Sequence, residues 1–167
     1  LYLVFSQVGA MFILAAFGVM FALSGSFEFA GAAGLPEAAK ILVFVLAFVG
    51  FGSKAGIFPF HAWLPHAHPA APSPVSAVMS GVMIKTGIYG IVRVYSLLDW
   101  HTPLFGEIIL IAGVVSGILG VVYALGQHDL KRLLAYHSVE NIGIILIGVG
   151  IGMIGAAAGQ PVMAVLG

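Results

Sequence analysis

SKAGIFPFHAWLPHAHPAAPSPVSAVMSGVMIKTGIYGIVRVY, residues Ser53 to Tyr95, sets two lysines inside sequence that otherwise reads as membrane interior. A lysine in hydrocarbon costs roughly 2.5 to 3.5 kcal/mol on insertion scales, so Lys54 and Lys85 are each expected to face a partner or a watery cavity. Between them stand Pro59, Pro65, Pro69, Pro72 and Pro74, and each proline removes a backbone donor and strains the turn before it. The helix carrying Lys54 should therefore break between Gly56 and Pro65, because Pro59 leaves the carbonyl of Ala55 without its usual donor. Both lysines should then point into the bundle and away from lipid.

Outward from that stretch the chain stays apolar. Of its 167 residues, 61% are hydrophobic and only 7% charged, with a mean hydropathy of +1.15, whereas soluble domains carry about a quarter charged residues. The apolar runs have helix-spanning length, so the fold class is an all-α polytopic transmembrane bundle with a proline-broken helix near 56–65. Net charge is zero and the isoelectric point about 7.2, which argues against a nucleic-acid footprint or a polybasic lipid-binding surface. Cysteine is absent. That excludes disulfides, thiolate-held iron–sulfur clusters and cysteine nucleophiles within this chain, and no redox centre is expected in it.

The spans follow in order. Leu1 to about Leu23 lacks the basic start of a signal peptide and is long enough to cross, so it reads as a first transmembrane helix. Ser24 to Ala38, with Gly25, Gly31, Gly34, Pro36, Glu28 and Glu37, is turn-rich and belongs in water or headgroups. The second span runs from about Ala39 to Phe58, where Gly52 and Gly56 have the spacing that admits a neighbouring helix closely. Phe60 to Ser73 reads as a short interfacial or re-entrant piece anchored by Phe60 and Trp63. The third span covers about Pro74 to Leu98, and the fourth about Leu104 to Leu125, with Gly113, Ser116, Gly117 and Gly120 as a packing stripe. A fifth follows from about Leu133 to Gly155. The chain begins at Leu1 and ends soon after a new apolar run starts at Pro161, so residues 1–167 are expected to be one transmembrane domain within a longer subunit, with about five spans and the start of a sixth.

Ionisable groups at membrane depth are the candidate site. Lys85 lies in the middle of its span, too far from either end to snorkel easily, while the bland reading of Lys54 is a lysine reaching the interface near a helix end. His137 and Glu140 are three apart, hence on one helix face, and Glu140 is the one acid of this chain expected at membrane depth. Buried groups of this kind can pass protons through intervening water. The nearest interior partners for Glu140 are Lys85 and His137, so its side chain is expected to face the third span. His61, His66 and His68 cluster among the prolines, but no carboxylate or cysteine accompanies them, which argues against a metal site. The order of spans puts the 59–73 connection and QHDLKR, Gln127 to Arg132, on one membrane face. Lys131 and Arg132 favour that face as cytoplasmic, while Lys40 and Arg93 lie toward the other.

GFGSKAGIFPFHAWLPHAHPAAPSPVSAVMSGVMIKTGIYGIVR, followed by DLKRLLAYHSVENIG, resembles the antiporter-like membrane subunits shared by respiratory complex I, multisubunit sodium/proton antiporters and group-4 membrane-bound hydrogenases. The likeness covers nearly the whole chain. It implies a discontinuous helix whose lysine, here Lys54, pairs with a glutamate two helices upstream, outside residues 1–167. It also implies that Lys85 relays protons along the membrane midplane. The complex I branch commonly reads WLPDAH and AYSSVSHMG, whereas this chain has His66 for the aspartate, His137 and Glu140 for two serines, and Asn141 for the histidine. The HSVEN version is similar to the hydrogenase-4 and formate hydrogenlyase branch.

The resemblance implies a proton-translocating, multi-pass subunit of the cytoplasmic membrane. Its expected partners are other membrane subunits and a peripheral redox arm, which would hold nickel–iron and iron–sulfur centres; this chain would hold no cofactor. Lys54, Lys85, Glu140 and His137 are the expected proton-transfer residues, and the transported ion is a proton or sodium. Two alternatives are a stand-alone cation/proton antiporter subunit and a membrane scaffold that moves no ion.

Overall fold

A computed structural model of the protein describes residues 1–26, 28–99 and 102–167. Its helices are α1 (Tyr2–Ser24), α2 (Glu37–Ala55), α3 (Leu64–Ala70), α4 (Ser73–Val78), α5 (Ile84–Leu98), α6 (Pro103–Leu125), α7 (Leu130–Ala157) and α8 (Pro161–Leu166), with no strand among the described residues. Five stretches are long and apolar enough to cross a membrane: Tyr2–Ser24, Glu37–Ala70, Ser73–Leu98, Pro103–Leu125 and Leu130–Ala157. The expected all-helical bundle with five spans is therefore what the chain forms. Helix starts carry their usual signals, since proline opens α6 and α8 and the Asp129 carboxylate accepts the Lys131 N–H at 2.9 Å to cap α7.

The second span breaks where the prolines predict. α2 ends at Ala55, and Gly56 caps it in the left-handed region with φ 75°. Glycine is needed there twice over: the dihedral penalises any Cβ, and a Cβ would also collide with the side chain of Leu64. The chain then passes a cis Phe58–Pro59 bond and a 3₁₀ turn, Phe60–Trp63, before α3 resumes. Gly56 thus serves the turn, and the helix-packing stripe expected at Gly52 and Gly56 is not how these glycines are used.

A second irregularity was not foreseen. Between α4 and α5, Met79–Met83 forms a single π turn within the third span. Such turns reset the phase of a helix and leave a backbone carbonyl open to a new partner.

The spans pack as two groups. In the first, α1 lies on α2 and α2 on α5. A Cβ at Gly87 of α5 would stand 2.7 Å from the carbonyl oxygen of Phe51 and 2.9 Å from the Cβ of Ala55, so only glycine lets these backbones come together. In the second group α6 lies along α7, at Gly113 against Gly143 and Ile147. Phe44 of α2 stacks on Phe105 of α6 at 3.8 Å between ring centres, and both are fully buried, joining the two groups at the core with Val43, Ile109, Ile142 and Leu146.

Candidate functional site

Among the described residues the buried polar side chains are few: Lys40, Ser53, His68, Ser116 and Ser138. Burial in so apolar a bundle requires partners, because an unpaired polar group costs far more than a paired one. Ser53 and His68 flank the break in the second span, Ser116 and Ser138 lie on α6 and α7, and Lys40 stands apart in the first turn of α2.

Lys54 lies in the last turn of α2, just before the break. It is exposed within this chain and lines two small cavities, one of about 80 Å³ with Ser6 and Gly50 and another with Tyr2, Ser53, Trp63 and Met83. Met83 belongs to the π turn, so the space beside Lys54 reaches the segment that holds the second lysine. Lys85 is likewise exposed within the chain. Its ammonium donates to the carbonyl oxygen of Ser80 at 2.5 Å, inside the π turn. The two lysines flank the closest approach of α2 and α5, since Phe51 and Ala55 bracket Lys54 and meet Gly87, two residues beyond Lys85.

Ser80 also ties the π turn to α7. Its hydroxyl lies 2.9 Å from that of Ser138, and Ser138 donates to the Leu134 carbonyl at 3.0 Å. A hydroxyl has a single proton, so with that donation made, Ser80 is the donor to Ser138. These serines line a cavity of about 310 Å³ that also touches His68, Ser76, Lys131, His137 and Asn141. His68 is 2% exposed; its Nδ1 is 2.6 Å from the Ser76 hydroxyl, and its Nε2 has no partner. A cavity this size with polar walls can hold several waters, and an unsatisfied buried nitrogen on its wall suits a water ligand.

At the cavity mouth the Lys131 ammonium donates to the carbonyls of Ala71 at 3.0 Å and Pro69 at 3.4 Å. The 59–73 connection and the start of α7 therefore share one face, as the order of spans required. His137 Nδ1 and Glu140 Oε2 are 2.7 Å apart, bringing the expected pair together. The expected direction of Glu140 differs. A Cβ at Gly120 of α6 would stand 2.7 Å from the Glu140 nitrogen and 3.1 Å from its Cβ, so Glu140 starts against α6 instead of facing α5.

Besides the π turn, the sequence reading missed four features. Lys40, read as lying near an aqueous face, is the buried lysine, 8% exposed, whereas Lys54 and Lys85 are not buried within this chain. Ser116, read as part of a packing stripe, accepts the backbone N–H of Phe58 at 3.0 Å. The Ser80–Ser138 tie and the burial of His68 also went unread. Only Ser116 had a signal: it is the one hydroxyl in the middle of an otherwise apolar span, beside a break with unpaired donors. Among the described residues no group of three or more histidine, aspartate or glutamate side chains is placed to hold a metal.

Five apolar spans, the second of them broken, make an all-helical membrane bundle. The chain belongs to the family described as NADH:quinone oxidoreductase/Mrp antiporter, TM, which matches residues 1–165. It is 47% identical to hydrogenase-4 component B of Escherichia coli K12 over 172 residues, covering 100% of this chain and 26% of that protein. It is 45% identical to formate hydrogenlyase subunit 3 of the same organism over 126 residues, covering 75% of this chain and 21% of that one. Among solved structures, a chain of respiratory complex I from Thermus thermophilus superposes with a TM-score of 0.69 at 25% identity, covering 98% of this chain and 38% of that chain. A chain of the Mrp complex from Dietzia sp. superposes at 0.83 and 24% identity, over 98% of this chain and 32% of that chain, a likeness of fold. This chain thus spans about a quarter of the length of the curated relatives it matches. It is a multi-pass membrane protein of the antiporter-like family.

Proposed function

We propose that residues 1–167 are the central part of a subunit that moves protons, or sodium ions, across the cytoplasmic membrane, driven by a redox reaction in partner subunits. The partners are of hydrogenase-4 or formate hydrogenlyase type, or of NADH:quinone oxidoreductase type, and hold the nickel–iron and iron–sulfur centres. In this reading Lys54 is the switching lysine, Lys85 the central relay, and His137 with Glu140 a proton-holding pair near the cavity. The reading rests chiefly on one observation: the two lysines flank the α2–α5 contact, and each sits beside a break in regular helix. The polar cavity supports it, since water on its walls would meet Ser80, whose carbonyl binds the Lys85 ammonium.

The chemistry asked of Lys85 is exchange of one proton. Charged, the ammonium satisfies the Ser80 carbonyl; neutral, it loses most of that attraction and is free to move away. Exposure of both lysines within this chain leaves them open to the remaining helices of a longer subunit, where an acid opposite Lys54 would complete the pair. Lys54→Ala and Lys85→Ala in the full subunit should abolish ion transport in membrane vesicles and leave the complex assembled, because alanine favours helix and removes a costly amine. Transport at the parent rate in both variants would defeat the reading, and parallel loss of assembly and transport would make the lysines structural.

A further inference from the structure

The break in the second span is held at two points by groups on either side of Lys54. A helix end buried in a bundle leaves carbonyls and N–H groups that cannot turn to water. Here the Gly52 carbonyl takes both the Gly56 N–H at 2.9 Å and the Ile57 N–H at 3.0 Å. The next carbonyl, that of Ser53, accepts the indole N–H of Trp63 at 2.8 Å in a fully buried bond. The next free donor, the N–H of Phe58, goes to the Ser116 hydroxyl on α6. Trp63 is 2% exposed and Ser116 0%; the indole bond is fully buried, and the part-buried Phe58 bond has its acceptor in the core. Lys54 follows directly after the residue that Trp63 holds and stands four before the residue that Ser116 holds.

We infer that Trp63 and Ser116 are positioning residues for Lys54: together they clasp the break and fix the backbone from which the lysine projects. The inference rests on the role given to Lys54 above, and it adds a part for α6, whose other mid-span side chains are apolar. Without the Ser116 hydroxyl the Phe58 N–H loses its partner, and it regains one by movement of the 56–60 turn, which carries the end of α2 with it.

The test uses the full subunit in its assembled complex, reconstituted in vesicles. Residues 1–167 contain no cysteine, so Lys54→Cys and, separately, Lys85→Cys place a single thiol in this part of the subunit, and its alkylation by a small maleimide is read by mass spectrometry of the peptide that carries position 54 or 85. Adding Ser116→Ala should speed alkylation at position 54 about fivefold, the effect of about one lost hydrogen bond, and leave position 85 unchanged. With both lysines native, Ser116→Ala should slow transport by a similar factor in a complex that still assembles. Trp63→Phe, which keeps the ring and removes the indole N–H, should act in the same direction and serves if Ser116→Ala does not assemble. Unchanged alkylation at 54, equal changes at 54 and 85, or failure of both variants to assemble would overturn the clasp. Normal transport by Lys54→Ala would instead defeat the role of Lys54, while the alkylation rates would still report on the clasp.

Discussion

The α6–α7 pair and the α2–α5 pair are both close contacts between apolar helices, yet they are built differently. α6 and α7 run unbroken for 23 and 28 residues and meet through small residues along their length. α2 and α5 meet most closely at Gly87 and Gly90, and each gives way to irregular backbone within two turns of there. Regular helices satisfy their own backbone and need only van der Waals fit. Irregular ones expose backbone groups that must find side chains, waters or ammonium groups, and this is where Lys54, Lys85, Ser53 and His68 lie and where Ser116 and Ser138 reach across from the regular pair. The difference separates a framework from a region able to change its hydrogen bonding as charge moves.

The most damaging change should fall in the framework. A Cβ at Gly113 would meet the Ile147 nitrogen at 2.8 Å and the Gly143 oxygen at 2.9 Å, both backbone atoms that cannot swing aside. Gly113→Val should cost about 3 kcal/mol or more by overpacking, and the full subunit should fail to accumulate in membranes by immunoblot. Normal accumulation would mean that the α6–α7 contact is not the framework. A milder effect is expected at the edge of the irregular region. Glu140→Gln keeps the shape and the hydrogen bond to His137 but removes its charge, and should lower the transport rate roughly three- to tenfold with assembly intact. An unchanged rate across pH would reduce the His137–Glu140 pair to a sequence signature.

The division between regular and irregular was only half legible in the sequence. The five spans followed from apolar length, and the break followed from Pro59 with Gly56, because missing donors and left-handed dihedrals are written in residue types. The π turn was not legible: Met79, Ser80, Gly81, Val82 and Met83 give no local signal of one, and the Ser138 hydroxyl that meets Ser80 comes from 58 residues away. Glu140 was paired with the right histidine, but its direction depends on the space at Gly120, a helix away. Lys40 misled for a similar reason. A lysine in the first turns of a span ordinarily reaches water, and its burial is set by the neighbours of α2. What periodicity and turn chemistry cannot supply is which face each span turns to which neighbour.

The central claim is that Lys85 gives up its proton during transport, beyond holding a charge against the Ser80 carbonyl. Lys85→Arg separates the two, since guanidinium keeps its charge and can still donate to that carbonyl but does not release a proton at any working pH. The measurement is acidification of vesicles carrying the assembled complex, driven by its own redox reaction and compared with the parent. The expected result is a complex that assembles and fails to acidify the vesicles. Acidification at the parent rate would show that a fixed charge suffices at this position, and would contradict a proton relay through Lys85.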